Sequence, residues 1–159
     1  MNEVTIRVRD VRESSEAFRA LAARFDIVGF KTVRDASALV ERSAKKNFQS
    51  RKGGRNDPAT PPRPTLRTGN LRNSIHSSPP ERRGGSTWSA KVGPTLMYGR
   101  RVELGFDGMV SGYVTKRGTV VQSYHATTRK FPYLAPAFKD NEDNIFEIWK
   151  SHVREAVKG

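Results

Sequence analysis

Apolar residues recur along this chain with two periods, two and three-to-four, and the switches between them divide it into elements. Val4, Ile6 and Val8 alternate with Thr5, Arg7 and Arg9, which predicts a short strand with one face on a core. Ser14 or Ser15 then caps a helix in which Phe18, Leu21, Ala22 and Phe25 fall three or four apart. Gly29 is expected to interrupt that run. Val33, Ala36, Leu39, Val40, Ala44 and Phe48 resume it, and periodicity allows either two helices or one long kinked one.

Between Leu66 and Gly105 the pattern predicts helix, strand, helix. Thr68 is placed to cap the first of these, Gly69 permits a tight bend, and Leu71 and Ile75 share a helical face with Arg72 and Asn73 pointing elsewhere. From Thr87 to Val92 the period is two, with Trp88, Ala90 and Val92 on one side and Ser89 and Lys91 on the other. Leu96 to Leu104 returns to helical spacing, with Gly105 as the stop. Phe106 to Lys130 predicts a β-hairpin insertion. Val110, Gly112 and Val114 lead into a turn at Gly118, Val120, Gln122 and Tyr124 lead out, and Lys116 and Arg117 form a basic tip. The hairpin is either a contact arm or a plain strand pair at a sheet edge. A last helix opens near Pro136 and carries Phe138, Ile145, Ile148, Trp149, Val153 and Ala156 as its apolar stripe, with Asp140, Glu142 and Asp143 early and Arg154 and Lys158 late. That stripe is expected to be core, part of it otherwise covering a neighbouring subunit.

Charge sharpens this outline. The formal charge of +13 is segregated: residues 1–41 are neutral, 42–84 carry +9, 85–131 carry +5 and 132–159 carry −1. Such a distribution suits a polyanion or an acidic partner surface. Residues 49–64 combine glycine, proline and basic side chains, Arg51, Lys52 and Arg55 among them, with almost nothing apolar. They form either a solvated linker or a flexible basic arm. Hydrophobic residues make up only 35% of the 159, so a single domain with a modest core is expected, its burial completed by a partner. There is no cysteine, which excludes disulfides and thiolate metal sites. No apolar run approaches the roughly 18 residues of a membrane span, and the opening MNEVTIRVRD does not resemble a signal peptide, so the expectation is a cytosolic product with no membrane partner.

Three segments carry a resemblance. TGNLRNSI (68–75), MYGRRVELG (97–105) and FPYLAPAF (131–138) resemble, in order, the TG-x-LR-x-SI, Tyr…V-E-x-G and P-[FY]-L-x-P-A-[FL] segments of the tail-completion, or head–tail joining, proteins of lambdoid-type long-tailed bacteriophages. The matching positions are Thr68, Gly69, Leu71, Arg72, Ser74 and Ile75, then Tyr98, Val102, Glu103 and Gly105, then Pro132, Tyr133, Leu134, Pro136 and Ala137. The resemblance implies an α+β fold, a small, mostly antiparallel sheet packed by a long N-terminal helix and a C-terminal helix. It also implies a homo-oligomeric ring, hexameric as the first expectation, at the virion neck after assembly in the host cytoplasm. The partners implied are further copies, the head connector or stopper, the tail tube or terminator, and double-stranded DNA crossing the lumen without sequence readout. Arg51, Lys52, Arg55, Lys116 and Arg117 are the candidates for DNA or partner contact.

No catalytic set emerges. His76, His125 and His152 lie in unrelated elements, Ser74 and Ser77 merely flank His76, and no phosphate loop is present, so neither enzyme chemistry, metal nor cofactor is expected. Glu103 is expected to pair with Arg72 or Arg100. The alternative function is a basic, sequence-nonspecific nucleic-acid-binding accessory protein. Against that alternative, no helix-turn-helix, zinc or RNP-type signature appears, and residues 49–67 lack the aromatics of a stacking platform.

Overall fold

The computed structural model describes residues 11–48, 64, 68–84 and 87–158. The strand expected at Val4, Ile6 and Val8 and the basic segment with Arg51, Lys52 and Arg55 lie outside the described residues. The fold is α+β, and one helix dominates it: α1 (Val11–Lys46) runs 36 residues without a break, about 54 Å at 1.5 Å per residue. Ser14 and Ser15 therefore lie within the helix instead of capping it, and Gly29 does not interrupt it.

At Gly29 the side chain of Trp88 lies directly against the helix. A β-carbon there would stand 2.8 Å from Cδ1 of Trp88. The indole N–H of Trp88 donates to Asp26 Oδ1 at 2.9 Å, and its ring meets Phe30 edge-on at 5.3 Å. Glycine costs a helix about 1 kcal/mol relative to alanine; here it admits the tryptophan that fastens β2 (Glu81–Gly84) and β3 (Thr87–Ser89) to α1.

Instead of one sheet, the described strands form four two-stranded antiparallel ladders. β1 (Ile75–Ser77) pairs with β4 (Val92–Pro94), and β2 pairs with β3. The expected continuous strand from Thr87 to Val92 is thus two strands with different partners, parted at Ala90 and Lys91. The third and fourth ladders build the hairpin. β5 (Phe106–Val110) pairs with β8 (Tyr124–Thr128), and beyond them β6 (Tyr113–Val114) pairs with β7 (Val120–Val121) around a turn where Gly118 has φ 80°.

The C-terminal region is also two elements. Helix α4 (Leu134–Lys139) ends at Asp140, and α5 (Glu142–Lys158) follows antiparallel to α1. Asn141 reaches Ser43, His152 reaches Asp35, and Arg24 donates to the carbonyl of Ala156, which fixes that direction. Ile145, Ile148, His152, Val153 and Ala156 are partly covered, while Phe138, Phe146, Trp149 and Val157 are exposed. The expected stripe is therefore split. Its Ile145–Ile148–Ala156 edge meets α1, and Phe138 and Trp149 are turned to the surface.

The core is small: Val40, Ala44 and Phe48 from α1, Ile75 from β1, and Tyr133 and Ala137 around α4. Leu71, Val92, Val102, Leu134 and Ile145 pack against it. A carboxylate braces its margin. Glu41 receives the Lys45 ammonium at 2.6 Å on one oxygen, and the backbone N–H and hydroxyl of Ser77 at 2.7 and 2.8 Å on the other. Lys45, then Ser77, hold the Glu41 carboxyl down to about 2 against partial burial, which pushes the other way. A folded-state pKa below the unfolded value adds stability above the unfolded pKa, and that stability is lost as pH falls. Glu41→Gln should therefore remove part of the acid-induced loss of stability between about pH 4.5 and 2. Denaturant titrations at stepped pH check this, and parallel curves for both proteins would contradict it.

Candidate assembly interface and the hub that positions it

The three resembling segments come together at one place. Helix α2 (Asn70–Asn73) is a single turn, and Gly69 precedes it with φ 76°, a left-handed conformation that glycine adopts without steric cost. Thr68 Oγ1 accepts the Asn70 N–H at 3.4 Å. Because α2 stops at Asn73, Ile75 opens β1 instead of lying on a helical face with Leu71, yet both reach the core. Ser74, also buried, donates its hydroxyl to the Leu71 carbonyl at 2.8 Å, and its own carbonyl accepts Thr95 N–H at 2.9 Å. This ties the TG-x-LR-x-SI turn to the end of β4.

Helix α3 (Tyr98–Leu104) supplies the second segment and ends, as expected, at Gly105, φ 75°. Its carboxylate has a different role from the one expected. Glu103 bonds no guanidinium of Arg72 or Arg100; Oε2 accepts the backbone N–H groups of Tyr133 and Leu134 at 2.7 and 3.0 Å, and Oε1 accepts that of Ala135 at 2.9 Å. The first N–H groups of a helix have no partner within it. Glu103 fills that need for α4 from thirty residues away, and a charged acceptor makes these bonds strong.

Tyr133 joins the segments. It is fully buried, its ring 5.0 Å from that of Phe48. Its hydroxyl donates to the Gly99 carbonyl at 3.2 Å, and its own carbonyl accepts Asn47 Nδ2 at 2.9 Å. Burial, with the Glu103 charge second, pushes the phenol upward, so it remains a donor. Gly99 is buried against Leu71 and Pro94, and a β-carbon there would lie 2.9 Å from Leu71 Cδ1 and nearer still to the Pro94 ring. Val102 and Ala137 complete the packing. Pro132 and Pro136 are half-buried beside it, while Arg72 and Tyr98 face outward.

The basic hairpin stands apart from the hub. At its root the Phe131 N–H donates to the Val102 carbonyl at 2.7 Å, and the Arg101 guanidinium lies over the Phe106 ring at 4.4 Å. Outward from there, Met109, Tyr113, Val114, Val120 and Tyr124 are exposed, as are Lys116 and Arg117 at the tip. The hub therefore supports two uncovered surfaces: this arm, and the outer face of α4 and α5. The near half of α1 adds a third, through Phe18, Leu21 and Phe25. An open groove of about 230 Å³ lies between α1 and α5, lined by Arg24, Ile27, Val28, Lys31, His152, Glu155 and Ala156.

Sequence reasoning located the residues of the hub without their connections. Asn47, Glu41 and Asp26 carried no signal, because each acts on a partner between 36 and 86 positions away. Among the described residues, no helix is long and apolar enough to cross a membrane, and no cluster of side chains suits a metal ion. Comparison with family models, curated protein sequences and solved structures finds no match to this chain.

Proposed function

We propose that this chain is the repeating subunit of a closed ring at the neck of a long-tailed bacteriophage, where it completes the tail and joins it to the head connector around the passing DNA. The observation that carries the reading is the hub: the three segments that bear the resemblance interlock through Glu103, Gly99 and Tyr133. A core this small beneath large uncovered apolar surfaces fits a chain whose burial is completed by copies of itself. The excess positive charge of the middle of the chain would attract phosphate in the lumen without reading bases.

The test is direct. Imaging of assembled particles that carry a tagged chain should place the tag at the head–tail junction; a tag along the tube or on the shell contradicts the reading. DNA retention should be blind to sequence, and raising salt from 50 to 200 mM should weaken it about tenfold for each pair of phosphates neutralised. A free nucleic-acid-binding accessory protein, favoured only by the net charge, would bind DNA as a monomer or dimer without tail components.

A further inference from the structure

We propose that the hairpin arm of one copy seats on the α4–α5 face of the next, so that this contact closes the ring; the inference rests on the ring reading above. Two of the uncovered surfaces among the described residues, the arm and the α4–α5 face, are unlike, and their chemistry is complementary. On the arm, Val114 and Val120 are cross-strand partners, 64% and 71% exposed, directly below Lys116 and Arg117. On the other surface, Phe146 and Trp149 stack at 5.5 Å and are 52% and 44% exposed. Lys150 is occupied with Glu147 at 2.7 Å and lies over the Phe146 ring.

Glu142 and Asp143 lie one turn before Phe146 on α5 and Asp140 just ahead of them, all exposed and with no ion-pair partner among the described residues; Lys139 beside them leaves an acid excess. This stretch is acidic in a chain of +13, and the arm tip is basic without any acid in residues 106–130 beyond Asp107 at its far end. Asp107 is itself held by Thr127 at 2.8 Å and faces His125 at 3.4 Å, so it does not neutralise the tip. Apolar centres with rims of opposite charge steer and register an encounter. Because the two surfaces differ, the contact is head-to-tail, the kind that generates rings when the rotation closes. Lys116 and Arg117 are thereby assigned to the neighbouring subunit and not to DNA.

The chain lacks cysteine, so engineered thiols report this contact cleanly. Val114→Cys and Phe146→Cys variants, mixed under mild oxidation, should form a disulfide-linked pair that neither forms alone. Lys116→Glu with Arg117→Glu should raise the concentration for half-assembly about tenfold or more in sedimentation velocity. Their melting should be unchanged, because both side chains are exposed. Adding Glu142→Lys and Asp143→Lys to the same chain should restore assembly. If the wild type assembles but charge reversal has no effect, or the combined swap fails to restore it, the arm contact is overturned and the ring stands. A wild-type chain that stays monomeric beside its tail components overturns both.

Discussion

Alanine in place of Tyr133 should lower the unfolding free energy by about 4 kcal/mol, the largest loss expected from any single side chain here. Tyr133 is one of the two largest fully buried side chains, and it belongs to the same core cluster as Ile75. Its ring packs on Phe48, its hydroxyl holds the Gly99 carbonyl, and its backbone anchors Asn47 and Glu103. Truncation empties that site, and the core around it is too small and too tied by hydrogen bonds to collapse inward. For a chain of this size, about 4 kcal/mol corresponds to a fall in Tm on the order of 10 °C. Tyr133→Phe separates packing from the hydroxyl. It should cost about 1 kcal/mol, the value of one buried hydrogen bond. Calorimetry or urea titration of the two variants checks both figures; similar losses for both would show that the hydroxyl, not the ring, dominates.

The second large effect is expected at Glu103. Removing its carboxylate by Glu103→Ala leaves three backbone N–H groups at the start of α4 without their acceptor and should cost about 3 kcal/mol. Glu103→Gln keeps one acceptor oxygen and loses the charge, so about half of that loss is expected. Glu103→Asp is the sharper control, since a shorter side chain cannot span the 2.7 to 3.0 Å contacts with the same geometry. Amide hydrogen exchange at Tyr133, Leu134 and Ala135 should accelerate in all three variants. Unchanged exchange would remove Glu103 from its capping role. The expected ion pair with Arg72 or Arg100 makes a different forecast, an exposed pair worth no more than about 1 kcal/mol.

Glu103 also illustrates how much of this molecule can be read in one dimension. A glutamate two residues before a glycine stop has arginines as its nearest charged residues in sequence, and local reasoning pairs it with an arginine such as Arg72 or Arg100. The fold brings to it a helix start thirty residues downstream, and three backbone donors outcompete one mobile guanidinium. Gly29 is a similar case. In sequence it is a helix breaker, whereas in space it is the gap that Trp88 occupies, and tertiary packing overrides its propensity cost. Ile75 shows the converse: helical spacing places it on one face with Leu71, the fold puts it in β1, and it is buried either way.

By itself the sequence determined the order of helical and strand segments, the amphipathic run that becomes α1, the hairpin with Lys116 and Arg117 at its tip, the helix stop at Gly105 and the segregation of charge, while the α+β class came only as what the resemblance implies. These follow from periodicity, turn chemistry and charge, which are local quantities. Only the tertiary structure decided that α1 is unbroken, that the strands divide into four ladders, that the C-terminal stripe is split between α1 and the surface, and that Glu103 and Tyr133 lock the hub. Those outcomes depend on which backbone donors and apolar faces meet across tens of residues, and a donor without a partner is satisfied by whichever acceptor the fold brings near.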